Sequence, residues 1–130
     1  MSITRYLFLD DRSIKSSSNV SLKLGRVYKH PKNPLMIEDQ AWEQRYDNFY
    51  GNIIYDQAEE LFKCWYSPFI VANSSIGMSW HDRQNIEYDG HENQEMGICY
   101  AISKDGFSWD KPDLNLVDFN DNKLNNIIFR

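Results

Sequence analysis

Three short stretches of this chain are rich in apolar residues, and each stretch predicts a β-strand. Residues 52–55 (Asn-Ile-Ile-Tyr) and 61–66 (Leu-Phe-Lys-Cys-Trp-Tyr) are rich in β-branched and aromatic side chains. The loop between them, residues 56–60, has a length that hairpins use. Residues 97–102 (Gly-Ile-Cys-Tyr-Ala-Ile) form an apolar run in which large side chains alternate with the smaller Cys99 and Ala101. The pattern therefore predicts a hairpin followed by a third strand.

A turn signal follows the third predicted strand. Gly106 accepts a positive φ and Asp105 hydrogen-bonds its own turn, so this pair predicts a second hairpin. Residues 107–109 then form the expected return strand, which Pro112 terminates because proline has no N–H for a ladder. Four strands in chain order predict an antiparallel meander of the kind found in one β-propeller blade.

The rest of the chain gives weaker signals. Residues 7–9 and 21–29 predict short strands, the second of them exposed. Residues 36–52 show no clean period and predict a structured loop. Residues 73–94 form a long polar loop, which is typical of a functional or disordered segment. The tail, residues 116–130, predicts a polar turn and then the start of an apolar strand.

Three ordered segments carry a resemblance to a known group of enzymes. They are Leu-Phe-Leu-Asp-Asp-Arg at 7–12, Trp-Glu-Gln-Arg-Tyr-Asp-Asn at 42–48, and Tyr-Ala-Ile-Ser-Lys-Asp-Gly-Phe-Ser-Trp-Asp-Lys-Pro at 100–112. Together they resemble the N-terminal part of the five-bladed propeller glycosidases related to glycoside hydrolase families 32, 43 and 68. The resemblance implies an all-β fold, made of antiparallel four-stranded blades of an incomplete five-bladed β-propeller.

The resemblance also implies a domain organisation. Residues 1–130 correspond to the N-terminal portion of a propeller, with an arm at 1–50, a first blade at about 51–112 and the start of the next blade at 113–130. Five blades of about 50 residues each need roughly 250 residues. We therefore expect a piece of a larger propeller, with self-association through open blade edges as one way of covering them.

Asp47 is the candidate catalytic residue. In the enzymes that the chain resembles, a first-blade aspartate acts as nucleophile or as general base, and hydrolysis needs a second carboxyl group across the sugar. The resemblance implies that later blades supply the other carboxyl groups, so we expect no turnover by this chain alone. The chain departs from family 32 here, because Asp47 is followed by Asn-Phe-Tyr-Gly. The alternative is a loop aspartate that caps a turn or pairs with Arg45.

Other residues are candidates for contacting a sugar, through stacking or through hydrogen bonds to hydroxyl groups. They are Trp42, Arg45, Asn48, Tyr50 and His91. The alternative for the first four is packing of the loop onto the blade. Glu43 is expected to be a surface carboxylate.

Composition and charge limit the function classes. A net charge of −5 and an isoelectric point near 5.1 argue against binding to nucleic acid or to an anionic membrane. An aromatic content of 15% is high, and exposed aromatic rings can stack on sugars; the alternative for any one of them is packing within the blade. No long apolar run and no signal peptide are visible, so a cytoplasmic location is the default expectation.

The sequence predicts no cofactor and no metal. It has no Gly-rich phosphate loop, and the pairs His81-Asp82 and His91-Glu92 fit no zinc spacing. Cys64 and Cys99 lie on strands that are candidate neighbours, and buried reduced thiols are favoured over a disulfide.

Three function classes remain open. The first is a glycoside hydrolase-like protein that acts on or binds oligo- or polysaccharide. The second is a non-catalytic carbohydrate-binding or structural propeller fragment. The third is another propeller or sandwich class, such as a sialidase-like fold.

Overall fold

The computed structural model describes residues 7, 9–47, 49–86 and 93–130, which divide into two compact units, Met1–Pro31 and Lys32–Arg130. The first unit contains a 3-10 turn at Asp11–Ser13, which Asp10 caps by accepting the N–H of Arg12 at 3.0 Å. The strand expected at residues 21–29 is wrong. Its apolar side chains are exposed, and among the described residues of this unit no strand is present to pair with it.

The second unit is built from antiparallel sheets, which confirms the all-β prediction. Its described residues form β1 (Asn52–Asp56), β2 (Leu61–Tyr66), β3 (Phe69–Ala72), the one-turn helix α1 (Trp80–Arg83), β4 (Gln94–Met96), β5 (Ile98–Ser103) and β6 (Ile127–Phe129). Four strands make one sheet in the order β1-β2-β5-β6, and β3 pairs with β4 in a second, two-stranded sheet. No described helix has the length and apolar character needed to cross a membrane.

The predicted hairpin and the third strand are confirmed. β1 and β2 pair in register from Asn52 opposite Trp65 to Asp56 opposite Leu61. The carboxylate of Asp56 stabilises the loop by accepting the N–H of Ala58 at 2.9 Å. β5 then pairs with β2 on its other side, as the alternation in residues 97–102 predicted.

The return strand predicted at residues 107–109 is wrong, and the turn aspartate explains why. Asp105 Oδ1 accepts the backbone N–H groups of Phe107 and Ser108, each at 2.7 Å. Donors held by a side chain are not available to a ladder, a competition typical of Asp in turns. Gly106 has the predicted positive φ of 75°, but pairing with β5 resumes only as a single bridge between Ile102 and Asp110.

The tail supplies the fourth strand instead. Asn120 and Asp121 have positive φ angles of 52° and 61°, which make the tight turn that the polar run predicted. The chain then returns to the sheet, where β6 pairs with β5. Residues 127–129, expected to begin another blade, therefore belong to the same sheet as the hairpin.

The described part of the long loop predicted at residues 73–94 contains secondary structure. It holds a 3-10 turn at Asn73–Ser75 and α1, whose start is stabilised by a capping box between Ser79 and Asp82. Its end is β4, and neither β4 nor its partner β3 is predicted by the residue pattern. β3 has four residues and β4 has three, so neither strand is long enough to show a clear alternation of apolar and polar positions.

One face of the four-stranded sheet forms the core. Alternation along β2 and β5 places Cys64, Tyr66, Cys99 and Ala101 on the same buried side. The loop before β1 packs on this side, where the Phe49 ring stacks on Tyr66 with centroids 5.1 Å apart. Further partly buried apolar residues that pack against this core are Met36, Trp42, Tyr46, Trp109 and Val117.

Both cysteines are free and fully buried, as predicted. Cys64 faces Ala101 and Cys99 faces Tyr66, so the two thiols are diagonal neighbours. Diagonal neighbours lie about 7–8 Å apart, beyond the usual Cα separation of a disulfide. Burial raises the pKa of the Cys64 thiol to about 11 and that of Cys99 to about 12.

We expect both thiols to be inert in the folded protein. Relative to ordinary values of 9.0, the raised pKa values lower the thiolate fraction about 100-fold for Cys64 and about 1000-fold for Cys99. Titration with a thiol reagent under non-reducing conditions should label neither residue before unfolding and both in urea. Rapid labelling of the folded chain, or a disulfide seen by mass spectrometry, would contradict this arrangement.

Candidate functional site

A buried carboxylate, that of Glu43, lies at the centre of the polar residues in the second unit. The residue is 3% exposed. Its Oε1 accepts the hydroxyl of Tyr66 at 2.5 Å, and its Oε2 accepts Lys111 Nζ at 2.6 Å. Oε2 also accepts the backbone N–H groups of Asp39 and Gln40 at 3.1 and 3.2 Å. The expectation that Glu43 is a surface carboxylate is therefore wrong, because the charge is buried and compensated by four donors.

The hydrogen bonds continue from Tyr66 towards the tail. The Tyr66 hydroxyl accepts from Asn126 Nδ2 at 2.7 Å, and that nitrogen also donates to the backbone oxygen of Tyr100 at 2.7 Å. Asn126 Oδ1 accepts the indole N–H of Trp42 at 2.6 Å. We call Trp42, Glu43, Tyr66, Lys111 and Asn126 the buried polar network. It joins the loop before β1, β2 and the tail.

Lys111 connects this network to the loop that precedes β1. Besides Glu43, its Nζ donates to Asp39 Oδ1 at 2.6 Å and to the backbone oxygen of Ile37 at 2.9 Å. The ammonium group also lies 3.4 Å from the Tyr46 hydroxyl and 5.9 Å from the centroid of its ring. Because the Lys111 side chain is only 7% exposed, these partners replace nearly all of its water.

Burial and the Glu43 charge alter the titration of the neighbouring groups. Desolvation, reinforced by the negative charge of Glu43, raises the pKa of Tyr66 and Tyr46 far above the ordinary value of 10.0. Desolvation acts to raise the pKa of Asp39 as well, but the hydrogen bond and the positive charge of Lys111 outweigh it and the pKa lies below 3.8. The phenols therefore stay protonated while Asp39 stays ionised.

An open cleft of about 660 Å³ lies beside Glu43. Its polar lining residues include Glu38, Gln40, Gln44 and Arg83, and its apolar ones include Ile37, Ala41, Ile76 and Met78. One wall is the loop before β1, and the other is the segment from Ser75 to α1. The cleft therefore combines hydrogen-bonding groups with apolar surface.

Arg83 holds the two walls of the cleft together. Its Nη1 donates to the backbone oxygens of Gln44 at 3.3 Å and Met78 at 2.9 Å, and its Nη2 donates to Glu38 Oε1. Glu38 Oε1 also accepts the N–H of Tyr46 at 2.6 Å. Gln44 Oε1 accepts the N–H of Ala72 at 2.7 Å, which fixes the amide against β3.

Asp47, the predicted catalytic residue, lies on the loop just before β1. Arg45 Nε donates to its Oδ1 at 2.5 Å, so the ion pair considered as its alternative role is present. Arg45 itself forms an isolated bridge with Phe69 at the start of β3. The catalytic role of Asp47 stays a prediction.

Of the other predicted sugar contacts, the structure describes Trp42, Arg45 and Tyr50. Trp42 packs edge-to-face on Phe119 with centroids 6.3 Å apart, and its indole N–H is already bonded to Asn126. Tyr50 is 69% exposed and has a positive φ of 44°. Asn48 and His91 lie outside the described residues.

Glu38, Gln44 and Arg83 were missed as site residues. Arg83 and Glu38 are 45 positions apart in the chain, and no local motif links them. The one available signal was the capping pair Ser79 and Asp82, which predicts a helix start and so places Arg83 on a helical turn.

Removing the Lys111 charge should cost much of the stability. Lys111→Met leaves the Glu43 carboxylate buried without its cation, which destabilises a protein by about 3–5 kcal/mol. Lys104→Met, at an exposed lysine, is the matched control and should cost less than about 0.5 kcal/mol. Urea unfolding of both variants measures the difference. Equal losses would contradict the central role of this pair, whereas partial recovery in Glu43→Gln/Lys111→Met would support it.

Alkaline pH should destabilise the fold through its buried phenols. Above about pH 10 the unfolded chain releases tyrosine protons that folded Tyr66 and Tyr46 retain, so the free energy of unfolding falls as pH rises. Tyr66→Phe removes one such group and should reduce that slope by up to about 1.4 kcal/mol per pH unit. Urea unfolding between about pH 9 and 11 tests this. Phe107→Leu, at an exposed ring without an ionisable group, should leave the slope as in the parent, and an equal effect of both variants would contradict the assignment.

Comparisons with known proteins give no relative. No protein-family model matches the sequence, and neither the curated proteins nor the solved structures contain a match.

Proposed function

We propose that this chain is part of a glycoside hydrolase-like β-propeller protein and that its cleft binds oligo- or polysaccharide. The observation that carries the proposal is the cleft itself, about 660 Å³ of open space in which fixed amide and carboxylate groups alternate with apolar side chains. Small-molecule sites have about 300–1,000 Å³ and combine apolar lining with a few convergent polar groups.

The lining chemistry suits a sugar. Hydroxyl groups both donate and accept, so they pair with planar amides and carboxylates such as those of Gln40, Gln44 and Glu38. The C–H faces of a sugar ring are apolar and fit side chains such as Ile37 and Met78, which line the same cleft. The polar side chains are held by the protein before a ligand binds, which lowers the entropy cost of binding.

The proposal of a propeller is supported by the face of the four-stranded sheet that lies opposite the core. Trp65 and Tyr100 lie there with ring centroids 5.3 Å apart. Together with Ile54, Leu116 and Ile128 they line a shallow, mostly apolar groove of about 390 Å³. Propeller blades bury such faces against each other.

We also propose hydrolysis of the bound sugar. In that reaction Asp47 supplies one of the two carboxyl groups that are needed. Glu43 is unsuited to be the other, since protein donors occupy both of its oxygens. The second candidate function is binding without catalysis. The ion pair of Asp47 with Arg45 favours it, because that carboxylate already has a partner.

Filling the cleft should abolish sugar binding. Ala41 lines the cleft and is exposed, so Ala41→Trp places an indole in the ligand space. Calorimetric titration with a panel of soluble oligosaccharides should show affinity falling at least tenfold, which corresponds to about 1.4 kcal/mol.

Ala58→Trp, in the exposed loop between β1 and β2, is the matched control and should bind like the parent. Binding that survives Ala41→Trp would place the sugar elsewhere. Absence of binding by the parent chain across the panel would overturn the proposed function.

A further inference from the structure

The arginine in the cleft is already bonded to several protein oxygens. Three protein oxygens already accept from the Arg83 guanidinium, namely those of Gln44, Met78 and Glu38. The side chain is only 10% exposed. Recognition of carboxylate or sulfate groups by arginine relies on a free pair of N–H donors, and the walls of the cleft occupy three of the five N–H donors of Arg83.

Glu38, in contrast, has an acceptor that faces solvent. Tyr46 and Arg83 both donate to its Oε1, and no described residue donates to Oε2. No buried side-chain oxygen among the described residues lacks a partner, so Oε2 is accessible even though the side chain is only 16% exposed. An acceptor in such a partly desolvated place interacts more strongly with a positive donor than it does in open water.

The charges around the cleft favour the same sign of ligand. Glu38, Asp39 and Glu43 contribute three negative charges, and Arg83 and Lys111 contribute two positive ones, which leaves a formal −1. The whole chain carries −5. Local and long-range electrostatics both disfavour an acidic sugar.

We propose that the cleft selects amino sugars, in which a protonated amine donates to Glu38 Oε2. This inference rests on the proposed function and adds the substrate class. Neutral sugars occupy the same cleft through hydroxyl contacts but lack the charge-assisted hydrogen bond, which is about twice as strong as a neutral one. Uronate sugars place a carboxylate where the protein presents acceptors.

Three trisaccharides with one β-1,4-linked glucan backbone test the proposal. They carry an amine at C2, a hydroxyl at C2, or a carboxylate at C6. Calorimetric titration of the full chain at mildly acidic pH should show the amine form binding about tenfold tighter than the neutral form, a difference of about 1.4 kcal/mol. The carboxylate form should bind weakest. Raising the pH until the sugar amine loses its proton should bring its affinity down to that of the neutral form.

The outcomes separate this inference from the proposed function. Equal affinity for the amine and neutral forms, or tighter binding of the carboxylate form, would overturn amino-sugar selection and leave sugar binding intact. If none of the three ligands binds while other oligosaccharides do, selection again fails and the function stands. If no sugar binds at all, both proposals fail.

Glu38→Gln assigns the selection to one oxygen. The substitution keeps an acceptor for Tyr46 and Arg83 and removes the charge, so the affinity advantage of the amine form over the neutral form should shrink to less than about twofold. Glu60→Gln makes the same charge change at an exposed position in the β1–β2 loop and should keep the tenfold advantage. Equal loss in both variants would assign the effect to net charge and overturn the site. The ranking of the three ligands by the parent chain tests the selection even if Glu38→Gln does not fold.

Discussion

The fold of the second unit depends on the compensation of one buried charge. A carboxylate with almost no exposed surface, that of Glu43, destabilises the folded state unless donors replace the water it has lost. The donors come from three places in the chain, namely the loop before β1, β2 and the segment after β5. Each of these segments must be in position before the charge is satisfied, so the ion pair with Lys111 favours a single arrangement of the loop on the sheet.

The same interaction shapes the cleft. Glu43 lies on the loop whose outer side lines the cleft, and Lys111 fixes that loop from within through the backbone oxygen of Ile37. Arg83 fixes the opposite wall by donating to backbone oxygens on both sides. The binding groups therefore stand on a scaffold that is already hydrogen-bonded, which is the condition for selective recognition by a small number of polar contacts.

The sequence was sufficient to predict those strands that depend on residues close together in the chain. The hairpin of β1 and β2, and β5 beside it, follow from alternation and from a loop of suitable length. The return strand failed because Asp105 offers its own acceptor to the N–H groups that a ladder needs, a competition between side chain and neighbour strand that a period of two does not reveal. The tail was predicted to contain a strand, but that strand, β6, was expected to begin the next blade. It pairs with β5 because of packing between distant parts of the chain, which a local residue pattern does not show.

The candidate site could not be predicted from the sequence, because its residues are also brought together by long-range packing. Tyr66 and Glu43 are 23 positions apart, and Lys111 is 68 positions from Glu43. No spacing rule connects such residues, so the carboxylate looked like any surface glutamate. The predicted site, centred on Asp47, came from a resemblance of ordered segments, which carries chain positions but not three-dimensional contacts.

The hydrogen bonds of the three carboxylates distinguish their roles better than their positions in the sequence do. Both oxygens of Glu43 are occupied by buried donors, so its charge serves the fold. Asp47 is paired with an arginine at the surface, where exchange with a ligand costs little because exposed ion pairs contribute at most about 1 kcal/mol. Glu38 lines the cleft and has one oxygen fixed by the protein and one that accepts from no described residue. A group that is oriented by its own fold and still has an unused acceptor is placed to recognise a ligand, and this favours Glu38 over Asp47 as the residue that determines selectivity in the proposed sugar site.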